Sequence, residues 1–133
     1  PRLIAGLVPE ATGSMSYDMV VALTERRALM EERAHAVLDR DVAGGARWVG
    51  SLGAVPSDPR YATAWRRSAR VIAAYRDRYQ ITSDAALGAP PDATTQKIDR
   101  ARAEVALRAI ETLNRRRHLE TPVRAAEPRG LRL

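Results

Sequence analysis

Cysteine is absent from this sequence of 133 residues, which excludes disulfides and thiol chemistry and fits a cytoplasmic protein. Histidine occurs only at positions 35 and 118, so a zinc site is not expected, and we predict no metal and no cofactor. No apolar run approaches the ~20 residues that a helix needs to span a bilayer. The first residues also lack the features of a signal peptide. We therefore predict a cytoplasmic location without membrane insertion.

Residues that would form a catalytic centre are also scarce. The pair Gly44-Gly45 lacks the lysine and hydroxyl that follow a phosphate-binding loop, and it is typical of a helix end. Glu31 and Glu32 are adjacent, so on a helix their carboxylates point about 100° apart and cannot act as one pair. Three of the four tyrosines lie at the spacing of a helix core, which favours packing over catalysis. We predict that this chain is not an enzyme.

Positive charge is plentiful but unevenly distributed. The sequence has 22 basic and 16 acidic residues, a net charge of +6, and Lys97 is its only lysine. From Arg115 onward, six arginines face two glutamates, which accounts for +4 of that charge. Basic composition is therefore weak evidence for a nucleic-acid surface on the folded body. The first residue is Pro1 rather than methionine, and we expect a piece of a longer protein.

The segment from Ser57 to Tyr79 has the strongest helix signals in the chain. Ser57 can accept a hydrogen bond from a free N–H of the first helical turn, and Asp58 adds negative charge where the helix dipole is positive. Pro59 lies at a position where a missing N–H has no cost. Apolar and aromatic residues then recur every three or four positions, which predicts a helix from Pro59 to Tyr79 with one buried stripe. The stripe consists of Tyr61, Trp65, Ala69, Ile72, Tyr75 and Tyr79.

Arginines line another side of the same helix. At about 100° per residue, Arg60, Arg67 and Arg78 align with one another, and Arg70 lies further round. A guanidinium matches phosphate geometry, so these arginines are candidates for contacts to DNA or to a partner protein. The alternative is an ordinary solvated face in an arginine-rich protein. The consecutive residues Arg115, Arg116 and Arg117 are candidates for the same contacts to DNA or to a partner protein. Alternatively, their positive charge complements the dipole at the C-terminus of a helix.

Two further helices precede this one. The first is long and runs from about Tyr17 to Asp41, and its expected buried side is Met19, Leu23, Met30, Ala34, Val37 and Leu38. The second is short, from Ala46 to Leu52, and inserts Trp48, Val49 and Leu52 into the core. A buried Trp48 would need a partner for its indole N–H.

The last long helix is predicted from about Asp92 to Leu119. Its expected apolar side is Ile98, Ala101, Val105, Ala109, Ile110 and Leu113. Glu104 with Arg108, and Glu111 with Arg115, have the spacing of supporting ion pairs. The predicted fold is all-α, with three long helices and one short one. An extended lead-in covers residues 1–16, the helical domain residues 17–119, and a loose basic tail residues 120–133.

Arg76 differs from the other arginines because it projects close to the apolar stripe. Burial of a guanidinium requires compensation. We therefore predict an ion pair with a carboxylate from another segment, or a side chain that extends out to solvent.

Several segments together resemble one protein family. They are W-R-R-S-A-R-V-I-A-A-Y-R-D-R-Y-Q-I from Trp65, L-I-A-G-L-V-P from Leu3, A-L-T-E-R-R-A-L-M-E-E-R-A-H-A-V-L-D from Ala22, and residues 86–90. The pattern resembles the C-terminal region of actinobacterial conjugative relaxase–helicases of the TraA/TrwC type, the MobF family. The resemblance covers Leu3 to about Leu113 and includes no catalytic motif.

The resemblance implies a parent protein that nicks DNA through a tyrosine and a three-histidine metal site, and unwinds DNA with an ATP-dependent helicase. Neither set of motifs is present here, so neither activity is assigned to this chain. We expect an accessory domain that contacts the parent helicase body or proteins of the conjugation machinery. The alternative is a non-specific module for single-stranded DNA that uses the seven arginines named above. A pocket with two perturbed ionisable groups would instead indicate an enzyme.

Overall fold

A computed structural model describes the backbone of residues 2–132 and the side chains of residues 16–119. The chain forms four helices in this range: α1 (Arg2–Ala43), α2 (Arg47–Ser51), α3 (Pro59–Arg78) and α4 (Thr94–Arg132). The described residues contain no strand. The predicted all-α fold, with three long helices and one short one, is therefore confirmed.

The outer helices extend further than we predicted at both ends of the chain. α1 begins at Arg2, where an extended lead-in was expected, and α4 continues to Arg132, through the expected loose tail. Both segments contain alanine, leucine, arginine and glutamate, which are good helix formers. The apolar side chains of the lead-in and the arginines of the tail lie outside the described side chains.

The chain divides into two units, Pro1–Arg33 and Ala34–Leu133. In the first unit, the side chains described for residues 16–33 are all exposed. Met19, Leu23 and Met30 are half or more exposed, so our prediction that they are buried is wrong. The next members of the same helical period are Ala34, Val37 and Leu38, and these are buried as predicted. Burial on α1 therefore begins where the second unit begins.

The core of the second unit is built around α3. Asp58 caps this helix by accepting a hydrogen bond from the Arg60 N–H at 2.9 Å, so Asp58, rather than Ser57, is the cap. The predicted stripe is confirmed at Trp65, Ala69, Ile72 and Tyr75, which are buried, whereas Tyr61 and Tyr79 are partly buried. The short helix α2 contributes Trp48 and Val49, with Leu52 directly after it, as predicted.

α3 and α4 pack against each other, and the predicted side of α4 is confirmed at Ile110, which is buried, and at Leu113, which packs against the core, but not at its other four positions. The buried residues of this helix are Ala103, Ala106 and Ile110, which we call the inner side of α4. Ile98 and Val105 are 54% and 61% exposed, so their predicted burial is wrong. Leu107 and Leu113, beside the inner side, are partly buried against the core cluster, which also contains Ala69 and Ala73 of α3. Small side chains such as these alanines let two helices pack closely.

Arg76 is buried, at 8% exposure, and its partners are carbonyl groups. Its guanidinium donates hydrogen bonds of 2.8 to 3.0 Å to the backbone oxygens of Ser83, Ala85 and Ala86. The prediction of a carboxylate partner or an exposed head is therefore wrong. A guanidinium carries five N–H donors, so it satisfies three carbonyls of a turn that has no regular secondary structure. These bonds hold the connector between α3 and α4, residues 79–93.

The same guanidinium packs on Trp48, 5.0 Å from the ring centroid. The indole N–H of Trp48 donates to Asp41 Oδ2 at 2.9 Å, so the expected partner exists. Burial lowers the pKa of Arg76, and the charges of Asp41 and Asp84 oppose that shift. Trp65 differs, because its indole N–H is buried without a partner among the described residues.

Arg100 of α4 holds the next part of the connector. Its Nη1 lies within 2.9 to 3.2 Å of the backbone oxygens of Leu87, Gly88 and Ala89. Gly88 has φ +65°, and a Cβ there would lie 3.0 Å from Ile81 Cγ2. Arg76 and Arg100 thus bind six backbone carbonyls of the connector between positions 83 and 89, and Ala86 and Leu87 in this segment are buried.

Candidate interaction surface on α4

The four α3 arginines predicted to contact DNA or a partner do not form one cluster. Arg60 pairs with Asp58 at 3.0 Å, at the start of the helix. Arg78 pairs with Asp99 at 2.9 Å, at its end. At about 1.5 Å per residue, the two arginines lie ~27 Å apart along α3. Both therefore have local carboxylate partners that compete with a phosphate for the guanidinium.

Arg67 and Arg70 differ from these two. Arg67 is exposed and Arg70 is half-buried. Neither makes a hydrogen bond or an ion pair with the residues whose side chains the structure describes. They lie three positions apart, one helical turn, so both guanidinium groups remain available on the same part of α3.

The three arginines near the end of the described part of α4 also separate. Arg117 donates to the backbone oxygen of Ala54 at 3.2 Å, beside the bond from Asn114 to Leu52, and so it helps to hold the α2–α3 loop. Arg115 and Arg116 are exposed, and Arg115 donates to Thr112 Oγ1 at 3.3 Å. Arg115 and Arg116 are the members of this run that remain at the surface.

The exposed side of α4 carries a row of apolar residues. They recur at intervals of three and four positions, so they lie on one side of the helix, about a third of a turn from the inner side. All four are exposed, and the two largest are more than half exposed. We call this row the outer face of α4, and it consists of Ile98, Ala101, Val105 and Ala109.

Every charged side chain beside the outer face is basic. At about 100° per residue, five basic residues lie within a quarter turn of its midline between positions 94 and 119. All five are exposed, and none forms an ion pair with a described carboxylate. Glu104 lies just beyond that range and pairs with Arg100 at 3.3 Å. The predicted pairs with Arg108 and Arg115 do not form. The five residues are Lys97, Arg102, Arg108, Arg115 and Arg116.

Sequence reasoning missed this surface because it assigned the outer face to the core. Lys97, Arg102 and Arg108 were therefore not among the candidate residues. A usable signal was present, since an apolar row flanked only by basic residues is unusual for a buried side. The inner side, by contrast, is bordered by Asp99 and Arg100, whose side chains contact α3 or the connector.

A polar cluster lies where the end of α3 meets the start of α4. The Tyr79 hydroxyl donates to Asp99 Oδ2 at 2.5 Å, and Gln96 donates to the Tyr75 hydroxyl at 3.1 Å. The hydrogen bond to Asp99 raises the pKa of Tyr79, and desolvation adds to this effect. A raised pKa disfavours the phenolate, so this arrangement does not activate Tyr79 as a nucleophile.

The described residues contain no group of three or more histidine, aspartate or glutamate side chains positioned to hold a metal ion. Within the same part of the chain, no helix is both long and apolar enough to cross a membrane.

Comparison with known proteins gives no relative from which a function is transferred. No protein-family model, curated protein or solved structure matches this chain. The functional interpretation therefore depends on the geometry described above and on the resemblance of the sequence segments.

Proposed function

We propose that this chain is a non-catalytic accessory domain that binds other proteins, at the C-terminal end of a conjugative DNA relaxase–helicase. The outer face of α4 is the observation that supports a binding role. Ile98 and Val105 are more than half exposed on a helix whose other side is already packed. Exposed apolar surface of this kind, bordered by charged residues, marks interaction sites on soluble domains.

The exposed apolar side chains of α1 add to this support. Met19, Leu23 and Met30 follow a helical period and face solvent over more than two turns. The sequence resemblance supplies the candidate partners, which are the parent helicase body and cytoplasmic proteins of the conjugation machinery. The absence of cysteine agrees with the cytoplasmic location that this proposal requires.

The proposal is tested by direct binding of the whole chain to the recombinant helicase body and to the coupling protein of the same element. Isothermal titration calorimetry gives the affinity of the wild type and of the double variant Ile98→Ser, Val105→Ser. We expect the Kd of this variant to be at least tenfold higher than that of the wild type. Val71→Ser removes an exposed valine of α3 and is the matched control. The proposal is contradicted if the wild type binds neither the helicase body nor the coupling protein. It is also contradicted if the wild type, the double variant and the control variant bind with equal affinity.

A second candidate function is non-specific binding of single-stranded DNA. Arg67 and Arg70 favour it, since both lack partners among the described residues. Contacts of guanidinium groups to phosphates release counterions, so such binding would weaken steeply with salt. Arg67→Ala with Arg70→Ala should then reduce both the affinity for a labelled oligonucleotide and the salt slope. If the wild type at micromolar concentration shifts no oligonucleotide at low salt, this candidate is excluded.

A further inference from the structure

We infer that the outer face of α4 binds an amphipathic helix whose apolar stripe is bordered by carboxylates. This inference rests on the proposed protein-binding function and adds the chemical character of the partner. It follows from three properties of the outer face: its charge, its length and the size of its side chains.

The charge of the border selects an acidic partner. The five basic residues beside the outer face are on both sides of its midline, with Arg102 on one side and Lys97 and Arg108 on the other. Their charges are not neutralised by described carboxylates. A helix with glutamates beside its own apolar stripe would place opposite charges along both edges, whereas a basic helix would be repelled.

The length and shape of the face match a helix. Ile98 to Ala109 spans ~17 Å, about three helical turns. Ala101 and Ala109 are small, so a second backbone can come close, while Ile98 and Val105 provide the apolar contacts. The inner side of α4 also combines alanines with larger apolar residues, and Ala103 and Ala106 share the core cluster with Ala69 and Ala73 of α3. The outer face has a similar composition about a third of a turn away.

Other anionic partners fit the face less well. Single-stranded DNA is bound by basic grooves that carry aromatic side chains for base stacking, and the outer face has none. An anionic membrane surface is bound by helices with several large apolar residues, and this face has two. Both partners are nevertheless included below, because each would be attracted by the same basic border.

The experiment uses three synthetic helical peptides of about 20 residues. The first has a leucine stripe with glutamates on both borders, the second has the same stripe with lysines, and the third keeps the glutamates but has serines in the stripe. Binding to the whole chain is measured by fluorescence anisotropy at physiological salt. We expect the first peptide to bind at least tenfold more tightly than each of the other two. A poly-dT oligonucleotide and vesicles containing phosphatidylserine are measured in parallel.

A charge reversal makes the assignment specific to the outer face. The double variant Arg102→Glu, Arg108→Glu should bind the glutamate peptide at least tenfold more weakly than the wild type does, and it should bind the lysine peptide more tightly. The control variant Arg67→Glu, Arg70→Glu changes the net charge by the same amount, but on α3. It should retain the preference of the wild type for the glutamate peptide over the lysine peptide. All four positions lie at or near the surface, and circular dichroism confirms that each variant retains the helical content of the wild type.

The outcomes separate this inference from the proposed function. Equal binding of the glutamate and lysine peptides, no reversal in the charge variant, or tighter binding of the oligonucleotide or the vesicles overturns the inference. If the helicase body or coupling protein binds through Ile98 and Val105 while neither peptide binds, the inference fails and the proposed function stands. If the chain binds neither peptides nor proteins, both fail.

Discussion

The two apolar sides of α4 show how similar sequence patterns have different structural outcomes. The inner side carries Ala103, Ala106 and Ile110, which are buried, and Leu107 and Leu113 beside them are partly buried against the core. The outer face carries two alanines, Ile98 and Val105, and it is exposed. Apolar area therefore favours burial of the inner side, which has one isoleucine and two leucines against one isoleucine and one valine.

Polar neighbours reinforce this choice. Asp99 and Arg100 border the inner side and reach α3 and the connector, where they find specific partners. Lys97, Arg102 and Arg108 border the outer face and have no such partners among the described residues. If α4 were rotated to bury the outer face, these cations would lose water without gaining carboxylates. The charged residues beside an apolar stripe, as well as the stripe itself, therefore help to determine whether that side of a helix is buried.

Truncation of the large residues should give the greatest contrast between the two sides. Ile110 is 1% exposed, so Ile110→Ala should lower the free energy of unfolding by ~2–5 kcal/mol through lost burial and a cavity. Val105→Ala on the outer face should change it by less than ~0.5 kcal/mol. Urea unfolding followed by circular dichroism measures both values. Equal destabilisation would mean that the outer face is buried in solution.

Enlargement of an alanine tests how tightly each side of α4 is packed. Ala103 is fully buried in the core, so Ala103→Leu should overpack it and cost ~1–3 kcal/mol. Ala101→Leu is the matched change on the outer face and should cost less than ~0.5 kcal/mol. Thermal unfolding of both variants gives the comparison. Tolerance of leucine at position 103 would contradict close packing of the core at this position.

Removal of an arginine tests the polar border. Arg100→Ala removes the donor to three connector carbonyls, and we expect a loss of ~1–2 kcal/mol, since the group is partly exposed. Arg102→Ala removes an exposed guanidinium and should have an effect below ~0.5 kcal/mol. Hydrogen exchange of the amides of residues 83–89 provides a second readout, and it should accelerate only in the first variant. Acceleration in both would remove the distinction between the two borders.

The smallest expected effect concerns pH. The hydrogen bond to Asp99 raises the pKa of Tyr79 in the folded state above its unfolded value of about 10. Its contribution to stability is therefore complete below pH ~10 and is lost as pH rises through the folded pKa. Tyr79→Phe should be less stable than wild type at pH 7, and the difference should shrink above pH ~10. Tyr17→Phe, an exposed position of α1, is the control and should show no such convergence.

Much of the fold was predictable from local signals. The start of α3 follows from Asp58 and Pro59, and its buried stripe follows from the spacing of Trp65, Ile72 and Tyr75. The short helix α2 followed in the same way, because glycine and proline bound a compact apolar cluster. Signals of this kind act over a few residues, so they are readable without knowledge of the rest of the chain.

The candidate site was less predictable. Arg76 was recognised as a residue near the core, but its carbonyl partners come from a connector whose path depends on tertiary packing. Arg60, Arg78 and Arg117 looked equivalent to Arg67 in the sequence, yet each has local contacts in the fold. Partners of this kind come from other elements, and helical periodicity does not report them.

The sequence by itself determined the helical character of the chain, the start and the buried stripe of α3, and the position of α2, because propensity, capping and periodicity are local properties. Only the tertiary structure decided which side of α4 is buried and which arginines have no partner among the described residues. Those choices depend on which apolar residues of α4 meet the rest of the core, and on carbonyls and carboxylates brought together from distant parts of the chain. The side with Leu107, Ile110 and Leu113 was buried, because it has more large apolar side chains and its polar neighbours have partners.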